Sequence, residues 1–203
     1  MSFKPLTLHT IGHSNHAEEW FIDLLRAHGI TVLVDTRSSP YSKFAPQFNQ
    51  EAIRAAAREA GIEYLFLGKE LGGRPQGLKY YDREGHVLYG KVAESGLFTS
   101  GVARVMDLAG SERVALACSE ENPCLCHRRL LITRVLTEKG VEVLHIRGDG
   151  RVESERELLE REEAEKAPGG ALQQSLFDFE EAPAWRSLQS VLPRKPPSSS
   201  SEP

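Results

Sequence analysis

Short runs of β-branched and aliphatic residues alternate with helix-period segments along the first 150 residues, and this alternation restricts the fold more than any other feature. Residues 6–11 read as a strand, and 30–34 form a continuous β-branched run. The second, Ile30-Thr31-Val32-Leu33-Val34, lacks the in–out pattern of a half-exposed strand and fits a strand covered on both faces. Residues 62–67, 114–118 and 141–146 repeat the pattern. Between them Trp20, Phe21, Leu24 and Leu25 recur at helical spacing over 16–28, and an Ala- and Arg-rich segment covers 48–60. Residues 97–108 and 126–139 are also helical, and Gly29, Gly61 and Gly140 are natural stops. Strands separated by helices imply parallel pairing, hence a Rossmann-like, three-layer α/β domain over residues 1–150 with a mainly parallel sheet. Residues 68–90, with six glycines, read as a long surface loop.

Beyond residue 150 the character changes. Residues 151–167 fit a solvated, charged helix laced with i,i+4 pairs. Pro168-Gly169-Gly170 breaks it, and residues 168–203 read as a flexible, disordered tail ending in a Pro/Ser run. Charge divides the same way. Residues 1–150 carry 18 basic and 18 acidic side chains, whereas 151–166 hold seven Glu against four Lys or Arg. A neutral domain lacks the broad basic surface of a non-specific duplex binder, which leaves open a local basic groove or a nucleotide-sized ligand. No apolar run approaches the length of a membrane span, and no secretory leader precedes the first strand. Three cysteines crowded into one loop do not make a disulfide framework, so the expected compartment is the cytoplasm.

In open parallel sheets, ligands bind beyond the carboxyl ends of the strands. Three strand ends here carry unexpected polar residues: Gly12-His13-Ser14-Asn15, Asp35-Thr36-Arg37, and Cys118-Ser119-Glu120 leading through Cys124 to Cys126-His127-Arg128. Each has a structural alternative. Ser14 or Asn15 could cap the first helix, with Glu18 completing a capping box. His13 could be a hydrogen-bonded core histidine, and Asp35 and Arg37 could simply pair with each other. Arg128 and Arg129 at the start of a helix oppose the helix dipole, a local conflict that fits anion or phosphate binding. The same helix start would make Cys126 the more reactive thiol, with Cys118 a small core residue. Zinc on Cys118, Cys124, Cys126 and His127 has suitable ligand types but lacks a second paired-cysteine knuckle, so no metal is assigned.

Thr10-Ile11-Gly12-His13-Ser14-Asn15, Val34-Asp35-Thr36-Arg37 with Pro40, Leu71-Gly72-Gly73, and Cys118-x-Glu120-x-x-Pro123-x-x-Cys126-His127-Arg128 together resemble the bacterial and archaeal family called domain of unknown function 488. The resemblance covers roughly residues 6–147. It implies a Rossmann-like fold and no settled activity, and it names no cofactor. Carried over by position, its motif residues are His13, Ser14, Asn15, Asp35, Arg37, Gly72, Gly73, Cys118, Glu120, Cys126, His127 and Arg128. The expected site places His13, Asp35, Glu120, Cys126 and His127 in catalysis. Ser14, Asn15, Arg37, Gly72, Gly73 and Arg128 take substrate or phosphate. An enzyme acting on a nucleotide or nucleic-acid base is the leading expectation, and a non-catalytic nucleotide- or nucleic-acid-binding module the alternative. In the tail, Gln173-Gln174-Ser175-Leu176-Phe177 looks like the short peptide by which bacterial proteins dock on the DNA polymerase sliding clamp. Gln173, Leu176 and Phe177 would be its contact residues.

Overall fold

The computed structural model describes residues 6–166 and 185–192. Its centre is one six-stranded sheet. Strand β1 (Thr7–Gly12) leads into helix α1 (Glu18–Ala27), β2 (Val32–Asp35), α2 (Gln50–Glu59) and β3 (Glu63–Phe66). Short helices α3 (Gly68–Leu71) and α4 (Tyr89–Ala93) precede α5 (Gly96–Ala109), which returns the chain to β4 (Val114–Cys118). A π-helical turn (Arg128–Thr133) runs into α6 (Arg134–Glu138), followed by β5 (Glu142–Ile146), β6 (Val152–Ser154) and α7 (Glu155–Lys166). The strand order is β3-β2-β4-β1-β5-β6, all parallel except β6 on β5.

The period-2 alternation of each strand divides the core into two layers. Ile11, Leu33, Ala115, Ala117 and Ile146 face α1 and α2, meeting Phe21, Leu25, Phe48 and Ala57. Leu8, Val32, Val34, Val114, Leu116 and Val143 face the other way, onto Leu71, Phe98, Val102, Leu131 and Leu136. The expected three-layer α/β architecture is therefore present. Its order differs from the 3-2-1-4-5-6 doubly wound arrangement. Here β4 inserts between β1 and β2, in register with both: Gly12 pairs with Cys118, and Asp35 with Ala117. That insertion brings three polar strand ends side by side.

Several local expectations need correction. Neither Ser14 nor Asn15 caps α1. The chain makes a turn first (His16 N–H to the His13 carbonyl, 3.1 Å), and the cap position falls on Ala17 without a side-chain bond. Residues 68–90 are not a surface loop throughout, since Gly68, Leu71, Val87 and Tyr89 are buried. The helix expected over 126–139 begins two residues later, as a π-helical turn, leaving Cys126 extended (φ −114°, ψ 140°). The charged helix expected over 151–167 is present as α7, docked on the domain rather than solvated all round. Strand β6 extends the sheet, Leu158 is fully buried, and Arg129 grips Glu155 and Glu162 of α7.

Within the span from residue 168, the described residues 185–192 pack against the domain. Trp185 donates its indole N–H to the Leu130 carbonyl (2.8 Å) and lies under the Arg134 guanidinium (4.3 Å). Ser187 exchanges bonds with the backbone of Val87. Gln173, Leu176 and Phe177 lie outside the described residues. Among the described residues no helix is long and apolar enough to cross a membrane.

Candidate functional site

Two networks meet at the carboxyl edge of the sheet, on either side of the end of β4. The first is built on Asp35, the last residue of β2. Its carboxylate accepts from Arg37 Nε (2.9 Å) and Nη2 (2.6 Å), from the Arg37 backbone N–H (3.0 Å) and from the Tyr64 hydroxyl (2.7 Å). Arg37 Nη1 donates to the Phe48 carbonyl (2.8 Å) and faces His13 Nε2 at 3.1 Å. An arginine offers only donors, so His13 Nε2 accepts and its Nδ1–H donates to the Ser14 carbonyl (2.8 Å). The ring stacks on Phe48 at 4.3 Å. Burial, with the Arg37 charge acting in the same direction against the Ser14 bond, lowers the His13 pKa to about 4, so the ring stays neutral. Burial and the neighbouring Asp35 raise that of Tyr64. Of the two readings of Asp35 and Arg37, the pairing one describes the geometry. Arg37 is buried, and four of its five guanidinium N–H groups are directed at Asp35, His13 and the Phe48 carbonyl.

The second network holds the sulfurs. Cys118 Sγ donates to Glu120 Oε2 (3.0 Å), and Cys126 Sγ lies 3.1 Å from the same oxygen. His127 Nδ1 is 3.6 Å from Cys118 Sγ and 3.9 Å from Cys126 Sγ, while its Nε2–H donates to the Thr36 carbonyl (3.2 Å). Both thiols are buried and Glu120 is exposed, so the carboxylate covers the sulfurs from the solvent side. The Cys118 thiol is pushed up by its bond to Cys126 and by burial. Burial also opposes a charge on Cys126, but the Cys118 bond and the His127 and Arg128 charges outweigh it and hold that thiol well below its ordinary value. Cys126 is thus set apart from Cys118 by its neighbours rather than by a helix start. Cys124 belongs to a different neighbourhood, close to Glu162 and Arg129 of the α7 contact.

Glycines allow the backbones to close around these groups. A Cβ on Gly12 would lie 1.9 Å from the Glu120 carbonyl oxygen, because the 119–121 segment crosses directly over the end of β1. The His13 and Ser14 N–H groups donate to the Cys118 and Ser119 carbonyls along that crossing (2.9 and 2.8 Å). Ser14 takes φ +46° to make the turn, an uncommon conformation for a residue with a side chain. A Cβ on Gly73 would lie 2.7 Å from the His127 ring, and one on Gly72 2.3 Å from Ser38 Oγ. The Leu71-Gly72-Gly73 motif therefore clamps the imidazole rather than presenting an anion nest.

The family model described as "Domain of unknown function DUF488" matches residues 17–135, more than half of the chain; the match takes in Asp35, Arg37, Cys118, Glu120, Cys126, His127 and Arg128, while His13 lies ahead of it. The chain belongs to the DUF488 family. No curated protein and no solved structure matches it significantly. The family motifs fall on the two networks, yet they divide by role. Arg128, expected to bind an anion, has no exposed surface. Its Nε donates to Thr10 Oγ1 (3.2 Å), Nη2 to the Glu121 carbonyl (2.7 Å) and Nη1 to the Glu120 carbonyl. The DUF488 arginines thus hold backbone and side chains in place, since side chains turned into the sheet edge find protein oxygens before they find solvent.

From Arg128 a buried chain of bonds continues. Thr10 Oγ1 donates to His145 Nδ1 (2.8 Å), and His145 Nε2 donates to Glu155 Oε2 (2.8 Å), which also receives Arg129. Ser14 and Asn15 remain at the solvent-facing rim. Sequence reasoning missed Thr36, whose carbonyl orients His127, and Tyr64, whose hydroxyl completes the Asp35 shell. The one available signal was a tyrosine in the half-buried run of β3, where a hydroxyl tends to find a partner.

Proposed function

We propose that the second network is the active centre of an enzyme acting on a nucleotide or a nucleic-acid base. The position of Glu120 carries this reading: an exposed residue keeps one carboxylate oxygen 3.0 and 3.1 Å from two buried sulfurs. Its carboxylate is not engaged by Arg128, which bonds the backbone carbonyls of Glu120 and Glu121 instead. Glu120 is then the proton-transfer group between solvent and the Cys126–His127 pair beneath it. His13 and Asp35 hold the adjacent wall rather than move protons, because both nitrogens of His13 and both oxygens of Asp35 are engaged. Ser14 and Asn15 form the rim on one side, with Gly72 and Gly73 supporting the other. Just after β2, Tyr41 and Phe44 are 68% and 97% exposed with Lys43 between them, offering π-faces and a positive charge to a base and its phosphate.

Mass spectrometry of nucleosides, nucleotides and single-stranded oligonucleotides incubated with the purified chain tests the reading. Conversion of one class is expected, and Glu120→Gln should slow it about 100-fold or more, the usual weight of an acid–base group. Binding without conversion would favour the non-catalytic recruiting module, and neither binding nor conversion would remove the nucleotide reading altogether.

We read residues 173–177 as a docking peptide for the DNA polymerase sliding clamp, supported by its Gln-x-x-Leu-Phe pattern. A synthetic peptide of residues 168–182 should bind the clamp of the source organism with a Kd on the order of micromolar, since a free peptide pays its ordering entropy on binding. Replacing Leu176 and Phe177 by Ala should abolish that binding. Equal binding by the substituted peptide would sink the docking reading.

A further inference from the structure

Two buried thiols, an imidazole and a carboxylate oxygen converge at the end of β4, and the fold itself has no need of such a set. We infer that Cys118, Cys126 and His127 bind a Zn2+ ion, with Glu120 standing over its fourth coordination position. The inference concerns the centre proposed above but does not depend on turnover there.

Geometry comes first. The three ligand atoms all lie within 4.8 Å of one another. Zn–S bonds of about 2.3 Å and Zn–N bonds of about 2.0 Å in a tetrahedron separate sulfur from nitrogen by roughly 3.6 Å. The corresponding separations here are 3.6 and 3.9 Å. The donors meet that spacing with their side chains as they stand.

The surroundings of His127 point the same way. Its Nε2–H donates to the Thr36 carbonyl, so Nδ1 is the nitrogen turned towards the sulfurs, and it offers them a lone pair once an ion displaces its proton. A histidine that binds a metal through one nitrogen normally donates the other N–H to a carbonyl or carboxylate, which fixes tautomer and ring orientation. Gly73 packs against the same ring, where a Cβ would lie 2.7 Å from Cγ and 2.9 Å from Nδ1. Cys118 is held equally firmly: it pairs in register with Gly12, and its carbonyl accepts the His13 N–H (2.9 Å).

Ligand chemistry selects the ion. Two thiolates and an imidazole favour Zn2+ over Mg2+ or Ca2+, which take all-oxygen shells. Three protein donors are also the number found where zinc keeps an exchangeable position. Glu120 Oε2 is nearer the sulfurs than a fourth ligand of such an ion would be, as suits a carboxylate accepting from the Cys118 thiol. Ion binding displaces the thiol protons, and Glu120, on the solvent side, then moves outward by a few tenths of an ångström. Cys124, included in the set suggested by the sequence, takes no part.

Titration of the reduced, chelator-stripped full-length chain with Zn2+, and with Co2+ as a spectroscopic probe, tests this. One equivalent should bind, and Co2+ should show sulfur-to-metal charge-transfer bands with the intense visible absorption of a tetrahedral site. Zinc should protect two cysteines, Cys118 and Cys126, from alkylation while Cys124 still reacts, as peptide mapping reads directly. Cys126→Ser and His127→Ala should each weaken binding by about 100-fold, and Cys124→Ser should leave it unchanged. The cobalt spectrum and the protection pattern come from the native chain, so they stand even if a variant folds poorly. No stoichiometric binding, an octahedral cobalt spectrum, protection of Cys124, or a Cys118–Cys126 disulfide in place of bound metal would each overturn the inference. Zinc bound with no conversion of any nucleotide would remove the enzyme reading and leave the metal site. Conversion by a chain that binds no metal would do the reverse.

Discussion

Replacing Arg128 by Met should lower the melting temperature by roughly 10 °C or more, from a loss of about 3–5 kcal/mol. Arg128 heads the largest fully buried side chains, and its charge is met by the Thr10 hydroxyl and the carbonyls of Glu120 and Glu121. Exchanging a buried ion for an apolar side chain can be neutral when its partners are exchanged with it. Here the partners stay. Two backbone carbonyls would lose their donor at about 1–3 kcal/mol each, and methionine fills the volume without answering either. The 119–121 segment, which crosses over Gly12, would loosen with them, and Glu120 would leave the sulfurs. A melting curve combined with alkylation of Cys118 and Cys126 measures both effects. An unchanged melting temperature would mean that the carbonyls find water and that Arg128 does not secure the loop.

Acidification should also cost several kcal/mol, in a window set by two histidines. His9 and His13 are buried, and burial with the nearby charge of Arg113 or Arg37 lowers each to about 4. The unfolded chain takes up these protons near pH 6.5, whereas the folded chain refuses them until about pH 4. A base whose folded pKa is depressed contributes fully above the unfolded pKa, so stability falls as pH drops through the interval between the two values. Each gap is worth roughly 3 kcal/mol at most. His145, lowered chiefly by burial, adds in the same direction. Carboxylate protonation acts mainly at lower pH: Glu121, held down chiefly by its bond to Arg147, loses its contribution only below the ordinary carboxylate range. Urea denaturation at pH 7.5, 5.5 and 4.5 should show the decline, and His9→Leu should remove about half of it. A stability constant within about 1 kcal/mol from pH 7 to 5 would mean that the histidines take protons without unfolding the chain.

The fold class was legible because burial on both faces leaves a direct mark. Val32, Leu33 and Val34 are apolar on successive positions since one points to α5 and the π-helical turn while the next points to α1 and α2. The edges of that reading were weaker where local patterns have two solutions. Residues 68–90 carry loop composition, yet Leu71, Val87 and Tyr89 complete a core layer that no periodicity in the segment announces. Residues 151–166 carry a surface composition, yet one leucine and two glutamates suffice to dock α7, because Arg129 supplies the matching charge from 26 positions away.

The chemistry of the strand ends was written in the sequence. His13, Asp35, Cys118, Glu120, Cys126 and His127 follow strands whose ends share one edge of a parallel sheet, and a polar residue there is costly unless it is paired or used. Which of them meet was decided by tertiary structure alone. The placement of β4 between β1 and β2 depends on long-range pairing energies that no local window contains, and it set Cys118 between Gly12 and Thr36. From that placement Arg37 and Arg128 turned inward to the chain's own oxygens, and Glu120 came to rest over two sulfurs and an imidazole. Residue types are chosen one position at a time, but donor, acceptor and ligand geometry is a property of distances. Those distances exist only once the sheet has closed.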